Sequence, residues 1–396
     1  MIQIKHKEDC SGCTACQSIC PKKCIQMKSD QEGFLYPIVD EESCINCGAC
    51  ENVCPILNPE KEVVKRQKAW LVQHKDEKIR LDSSAGGAFT AIATVILKKN
   101  GIVFGAAYDS RFQVHHLYVE KVEDLYKFRN SKYVQSNLGN CFRQVKQFLD
   151  NDRWVCFSGT PCQIEGLSKF LGKSYKKLVL VDIVCHGIPS PLIWNRYLEY
   201  HNIDLSELDN IRFRDKYYGY KYSTMSFISH EKKIYHAGSQ LDPMLRAFFS
   251  DICDRPICYT CPFKKRYRVS DLTIWDCFSV YDFDKNMDDD KGTTRVLSHT
   301  EKGTALVREI ESMAKCKEVL PDSLVHGVKE MFESIPTNSK RDVFMRDANK
   351  LSGVELFNKY FPITKKIKFI TLVRKLLLEI GAYSTMKKYK NKIQGR

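Results

Sequence analysis

Two stretches near the start of the chain repeat one spacing of cysteines. Cys10, Cys13, Cys16 and Cys20 are followed by Pro21, and Cys44, Cys47, Cys50 and Cys54 are followed by Pro55. Three thiols at two-residue gaps can close round one side of a compact inorganic core, while the fourth arrives from farther along. This is the ligand pattern of paired 4Fe-4S clusters, in which the last cysteine of each run serves the other cluster. Cys10, Cys13, Cys16 and Cys54 are therefore assigned to one cluster, and Cys44, Cys47, Cys50 and Cys20 to a second. Zinc sites favour a pair of Cys-x-x-Cys units instead. Gly12 and Gly48 let the backbone approach a cluster closely enough for amides to bond its sulfurs. Cys24 lies outside the pattern and reads as a small buried apolar residue.

Farther along, chemistry-bearing residues sit where elements begin or end. Ser83-Ser84-Ala85-Gly86-Gly87 opens a helix, offering free N–H groups and a positive helix end to a phosphate, although paired glycines also serve close helix packing. Gly159-Thr160-Pro161-Cys162 and Cys185-His186-Gly187 each follow a strand and precede a helix, so in a parallel sheet both cysteines would face one crevice. Cys253, Cys258, Cys261 and Cys277 supply four more thiols. His186 could serve as an acid or base, or only orient its neighbours. Arg212, Arg214 and Lys216 suit a cofactor phosphate or form a solvated basic turn, and Lys132 and Tyr133 are similarly poised. Cys141, Cys156 and Cys316 lack partners and read as structural.

The elements that must position these residues follow from periodicity. With 396 residues, 43% hydrophobic and 28% charged, the chain can bury two or three domain cores. Residues 1–60 are Cys-rich and end in the linker-like Asn58-Pro59-Glu60-Lys61-Glu62. Residues 61–320 alternate helix and strand signals. Ala85, Phe89, Ile92 and Ile96 recur at helical spacing up to Asn100-Gly101, and residues 102–108, 153–157 and 178–184 read as strands. Residues 163–171 and 191–200 read as helices. The expected fold is thus α/β: an N-terminal α+β two-cluster ferredoxin-like domain fused to a larger α/β domain with a mostly parallel sheet. Residues 321–396 read as a basic helical tail, with a short apolar helix at 370–380.

Eighteen cysteines in a chain without a secretory signal read as metal ligands in a reducing, cytoplasmic setting. No apolar run is long enough to span a membrane. The net charge of +14 is concentrated: residues 361–396 hold ten Lys or Arg and one acidic residue, +9, leaving +5 elsewhere (14 − 9 = 5). No paired aromatic–basic motif accompanies it, so nucleic acid is not an expected partner. Lysines around Ile367, Phe369, Ile370 and Leu372 suit peripheral contact with an anionic membrane, or docking on a partner.

Several segments then match one pattern in order and spacing. They are Ser-Ala-Gly-Gly at 84–87, Ser-Lys-Tyr-Val-Gln-Ser at 131–136, Gly-Thr-Pro-Cys-Gln at 159–163 and Val-Cys-His-Gly-Ile-Pro-Ser-Pro at 184–191. Phe-Arg-Asp-Lys at 213–216, Cys-Tyr-x-Cys-Pro-Phe-Lys at 258–264, Ser-Asp-Leu-Thr at 270–273 and Lys-Gly-Thr at 291–293 complete it. Over roughly residues 8 to 315 the chain resembles the β-subunit family of coenzyme F₄₂₀ hydrogenases and dehydrogenases, which includes 7-hydroxymethyl chlorophyll a reductase.

The resemblance implies a flavin, FAD or FMN, in the larger domain, bound through Ser84, Gly86, Gly87, Lys132, Tyr133, Gly159, Thr160, Arg214 and Lys216. His186 and Lys132 are the catalytic candidates. It also implies a third 4Fe-4S cluster, for which Cys162, Cys185, Cys258 and Cys261 are the natural ligands. Trp275-Asp276-Cys277-Phe278-Ser279 stands where the family commonly reads Gly-Asp-Phe-Trp-Gly, which leaves Cys277 and Cys253 as rival ligands. The implied activity is an oxidoreductase linking ferredoxin, or another redox protein, through clusters and flavin to a small-molecule substrate. Members with this head look like those encoded beside bacterial surface-polysaccharide genes, which makes a glycan precursor one candidate. The alternative is a non-catalytic electron-relay subunit.

Overall fold

The computed structural model describes residues 1–380. Thirteen strands lie among them: β1 Ile25–Ser29, β2 Leu35–Val39, β3 Lys68–His74, β4 Ile102–Tyr108, β5 Val114–Val119, β6 Val155–Gly159, β7 Leu178–Ile183, β8 Asn210–Asp215, β9 Thr224–Ser229, β10 Lys232–Gly238, β11 Leu272–Asp276, β12 Thr294–Ser298 and β13 Ala314–Val319.

In the head, β1 and β2 form an antiparallel hairpin with Ile25 opposite Val39. Two short helices, Ala15–Ile19 and Ala49–Asn52, begin inside the two cysteine runs. Both runs turn in the same way. The second and fourth residues after the first cysteine are left-handed: Gly12 (φ 71°) and Thr14 (φ 64°) in one run, Asn46 (φ 51°) and Gly48 (φ 73°) in the other. Each repeat thus places one glycine and one side chain in a conformation that costs most L-residues about 1–2 kcal/mol.

The large sheet runs β13-β3-β12-β11-β7-β6-β4-β5. Its centre, β11, β7, β6 and β4, is parallel, and every other pairing is antiparallel. The expected parallel sheet is therefore this central block within a mixed sheet. Strand 102–108 falls where its apolar run placed it. The helix Ala88–Lys98 starts three residues later than its periodicity implied, because Gly87 (φ 83°) turns the chain first.

Alternation divides the sheet between two layers. Val103, Cys156, Val179, Val181 and Leu272 pack with Ala91, Ile92, Val95 and Ile96 of that helix. Ile102, Phe104, Val155, Phe157, Leu178 and Leu180 face the helices Cys141–Asp150 and Pro161–Leu171. This second core also contains Cys13 and Ala15 of the head. A Cβ added at Gly166 would lie 2.8 Å from both Cβ and Sγ of Cys13, so the helix lacks a side chain where the head rests on it.

The smaller sheet, β10-β9-β8, packs with the helices Pro191–His201, Arg341–Ala348 and Gly353–Tyr360 round Trp194, Tyr197, Phe213, Phe227, Phe344 and Phe357. The expected tail from residue 321 is accordingly shorter, since the chain is part of this core up to Phe361. The two eight-residue helices bury only three residues each, too few to give a strong periodic signal.

Replacing Gly166 with Val should overpack the head–body contact, at a cost of about 1–3 kcal/mol. We expect a lower thermal midpoint and loss of about four irons, those held by the Cys13 loop. Unchanged melting and iron content would show that the head does not share this core.

Candidate functional site

The head thiols sort into two groups. Burial is the main force raising the thiols of Cys10, Cys13 and Cys16. Cys54 lies close enough to Cys10 and Cys16 to push both up further, and Cys13 is coupled in the same way to Cys10 and Cys16. Cys20, Cys44, Cys47 and Cys50 line one cleft with Met1 and Pro21. Cys20 of the first run thus lies among the cysteines of the second, and Cys54 of the second lies near Cys10 and Cys16 of the first. Gly12 N–H points at Cys10 Sγ and Ile2 N–H at Cys50 Sγ, each at 3.3 Å, the contacts expected of amides beside cluster ligands. Cys24 is buried, as expected, but it also lines the second cleft, with its Sγ 3.4 Å from that of Cys20. Cys47 is exposed, whereas Cys10, Cys13 and Cys16 are buried, so the second group is the outer one.

A third group forms in the body. Cys162 lies in the first turn of the helix Pro161–Leu171, Cys185 follows β7, and Cys258 and Cys261 come from the turn Pro256–Thr260 and the residue after it. All four line one cleft, together with His186 and Arg255. Burial pushes the Cys162 thiol up to about 11 and raises Cys185, Cys258 and Cys261 as well. Iron entering here would have to displace these protons. The rival thiols lie elsewhere. Cys253 belongs to the core round Trp194, and Cys277 packs with Met287 and Leu297. Among the described residues no group of three or more His, Cys, Asp or Glu stands close enough to hold a metal ion.

The inner head group and the body group are neighbours, since Cys162 adds to the rise of the Cys13 thiol. The residues between them escaped the sequence reading. Arg255, 1% exposed, donates through Nε to Cys10 O at 2.7 Å, and through its two terminal nitrogens to Gln135 Oε1 and Leu35 O at 2.9 Å. Its guanidinium lies 4.2 Å from the Tyr36 ring centre. Ser11 lines the body cleft, and its buried Oγ has no hydrogen-bond partner among the described residues. Asp254 is fully buried, and both its carboxylate oxygens lack partners among those residues. Burial raises its carboxyl to about 8. The one available signal was a charged pair, Asp254-Arg255, inside an apolar, Cys-rich fragment.

Beside the third group runs a polar edge at the carboxyl ends of the parallel strands. His186 lines the cleft, and its Nε2 lies 2.6 Å from Asp251 Oδ1. Its ring meets Phe248, which stacks on Tyr133 at 4.1 Å. Tyr133 OH accepts from Arg214, which also pairs with Asp276. Lys132 Nζ donates to the carbonyls of Arg129 and Asn130 and lies over the Tyr108 ring. Lys216 Nζ is held by the carbonyls of Arg80, Ala85 and Lys291. Burial lowers both lysines to about 7, and for Lys216 the Arg80 cation adds to the effect. Tyr108 OH, Arg129 Nε and Asn130 Nδ2 are buried donors with no partner among the described residues. The edge thus combines two buried lysines with three buried donors that lack partners among the described residues.

Five of the expected contact residues are engaged inside the chain. Gly86 is not free for a phosphate: its N–H donates to Thr294 Oγ1 at 2.8 Å, and an added Cβ would meet Val72 O at 2.2 Å. It serves close strand packing. Thr160 N–H and the space beside Gly159 are occupied by Gln163, which caps its own helix. Ser84 Oγ lies 2.8 Å from Ser131 Oγ, and Arg212 pairs with Asp82. Gly87 is left-handed at the N-terminal end of the helix Ala88–Lys98.

Residues 152–323 match the family model for the C-terminal part of the β subunit of coenzyme F₄₂₀ hydrogenase/dehydrogenase. Residues 9–57 match the model for a 4Fe-4S dicluster domain. Comparison with curated proteins gives no match. Among solved structures, a chain of the F₄₂₀-reducing NiFe hydrogenase complex from Methanosarcina barkeri, studied by xenon derivatization, is similar at 16% identity. The match covers 75% of this chain and 91% of that chain, with a TM-score of 0.44.

Anaerobically purified protein should carry about twelve irons, about four per cluster. Cys258→Ser should remove about four of them, whereas Cys253→Ser, Cys277→Ser and Cys24→Ala should leave the count unchanged. Equal loss from Cys277→Ser would overturn the body assignment.

Proposed function

We propose that this coenzyme F₄₂₀ hydrogenase β-subunit-like protein, headed by a ferredoxin domain, is a flavin-dependent oxidoreductase fed by a ferredoxin-type partner. The chain is an iron–sulfur redox protein related to hydrogenase β subunits. The finer reading rests on one observation: the three thiol groups lie in series, from exposed Cys47, through the buried Cys10, Cys13 and Cys16, to the Cys162 cleft beside the basic edge.

Each part of the chain then has a task. The Cys20, Cys44, Cys47 and Cys50 group faces the partner, because it alone has an exposed thiol. The Cys10, Cys13, Cys16 and Cys54 group is shielded from solvent by the body. Cys162, Cys185, Cys258 and Cys261 hold the cluster nearest the basic edge. A flavin bound there would convert single electrons into pairs, as most metabolites require. Gly87, Lys132, Tyr133, Arg214 and Lys216 would hold it, with phosphates drawn to the two buried lysines. His186, fixed by Asp251, and Lys132 are the groups able to hold a proton near the reacting atoms. The substrate is a small molecule, with a glycan precursor as the candidate class. Electron flow in the opposite direction uses the same residues.

A relay subunit without flavin is the second reading. It is favoured by the polar groups already satisfied inside the chain, above all Lys216 with its three carbonyls.

Acid precipitation should release FAD or FMN, and finding neither while iron is retained would leave the relay. A finer test follows from the lysines. At pH 8, above their values of about 7, both are largely neutral, and a nearby phosphate would recharge them. Adding FAD to flavin-stripped protein should therefore take up as many as about two protons at pH 8, and almost none at about pH 5.5, where both are already charged. Calorimetry in buffers of different ionisation enthalpy measures this uptake. Equal uptake at the two pH values would remove the lysines from the phosphate site.

A further inference from the structure

The helix Lys365–Glu379 is attached to the body through Arg374. Arg374 donates to Tyr222 OH at 2.5 Å, and its guanidinium lies 4.1 Å from that ring centre and 5.6 Å from that of Tyr218. Before the helix, Arg246 clamps the carbonyls of Phe361 and Pro362, which fixes where the chain leaves the core. Most surface helices turn an apolar stripe inward and charge outward. Here an apolar stripe faces outward. Phe369, Leu372 and Leu376 are 67%, 55% and 50% exposed, and Ile380, just past the helix, is 72% exposed. Their spacings of three, four and four residues put them on one face, with exposed Val373 beside them. Exposed Lys365, Lys366 and Lys368 border this stripe at its start.

We propose that this face is an interfacial helix that lays the protein on an anionic lipid surface. The occupant follows from charge. The stripe would enter the boundary between headgroups and acyl chains, and the bordering lysines would meet anionic headgroups. The sequence continues with Lys387, Lys388, Lys390, Lys392 and Arg396 and has no acidic residue after Glu379, so the same sign of charge extends past the stripe. A second copy seated here would bring like charge onto like charge. No described helix is long and apolar enough to cross a membrane, so the contact lies in the plane of the surface.

The test uses full-length, iron-loaded protein and two vesicle types, phosphatidylcholine alone and an equal mixture with phosphatidylglycerol. At low salt the mixed vesicles should sediment at least about tenfold more protein than the neutral ones. Salt at about 1 M, where the Debye length is about 3 Å, should abolish the difference. The double variant Leu372→Glu, Leu376→Glu should no longer sediment with the mixed vesicles yet keep its full iron content, since both side chains face away from the body. Equal sedimentation with the two vesicle types overturns the proposal. So does a dimer, seen by light scattering, that the double variant loses, because the stripe would then belong to a second copy.

Discussion

One fully buried cation, Arg255, joins the head to the body. Arg255 would be costly to bury alone, because an unpaired charge in a dry interface loses several kcal/mol of hydration. Its donors instead meet Cys10 O, Leu35 O and Gln135 Oε1, and its flat face lies on Tyr36. The contact also accounts for an asymmetry between the two cysteine repeats. A Cβ at Gly12 would come within 2.6 Å of Gln135 and 2.9 Å of Arg255, so this left-handed position must be glycine. Asn46, its counterpart in the outer repeat, carries a side chain. Gly48, in turn, has open space around it and needs glycine only for its backbone angle.

How far the sequence could be read depended on how local each feature is. The head groups were legible because three ligands of each lie within seven residues, and the iron–sulfur spacing leaves few other uses for them. The central strands were legible because β4, β6 and β7 are buried on both faces and read as short continuous apolar runs. Features set by distant neighbours were not legible. Gly86 looks like a phosphate-binding glycine until β3 and β12 close on it. The helices Arg341–Ala348 and Gly353–Tyr360 owe their burial to the core round Trp194 and Tyr197, more than a hundred residues away, and not to a periodic face of their own.

The basic edge shows the same tension in electrostatic terms. Lys132 and Lys216 are buried deeply enough to lose much of their charge near neutral pH, although carbonyls surround both. Carbonyl dipoles only partly replace hydration for an ammonium, whereas an anion beside it would restore the full charge. Tyr108 OH, Arg129 Nε and Asn130 Nδ2 add donors with the same deficit.

The body group differs from the head groups because its thiols come from separate segments, and here Arg255 acts a second time. Cys162 and Cys185 are brought together by the pairing of β6 with β7. Cys258 and Cys261 must be carried in from a loop that belongs to neither strand. A short antiparallel contact does this: Ser190 N–H donates to Cys253 O, and Arg255 N–H to Ile188 O, both at 2.9 Å. Arg255 O then accepts from Cys258 N–H at 2.8 Å, which starts the turn that presents both thiols. The backbone of Arg255 therefore sets the geometry of the body group while its side chain sets the position of the head. Any displacement of this residue moves two thiol groups relative to each other. The relative position of the two thiol groups thus depends on a residue that belongs to neither.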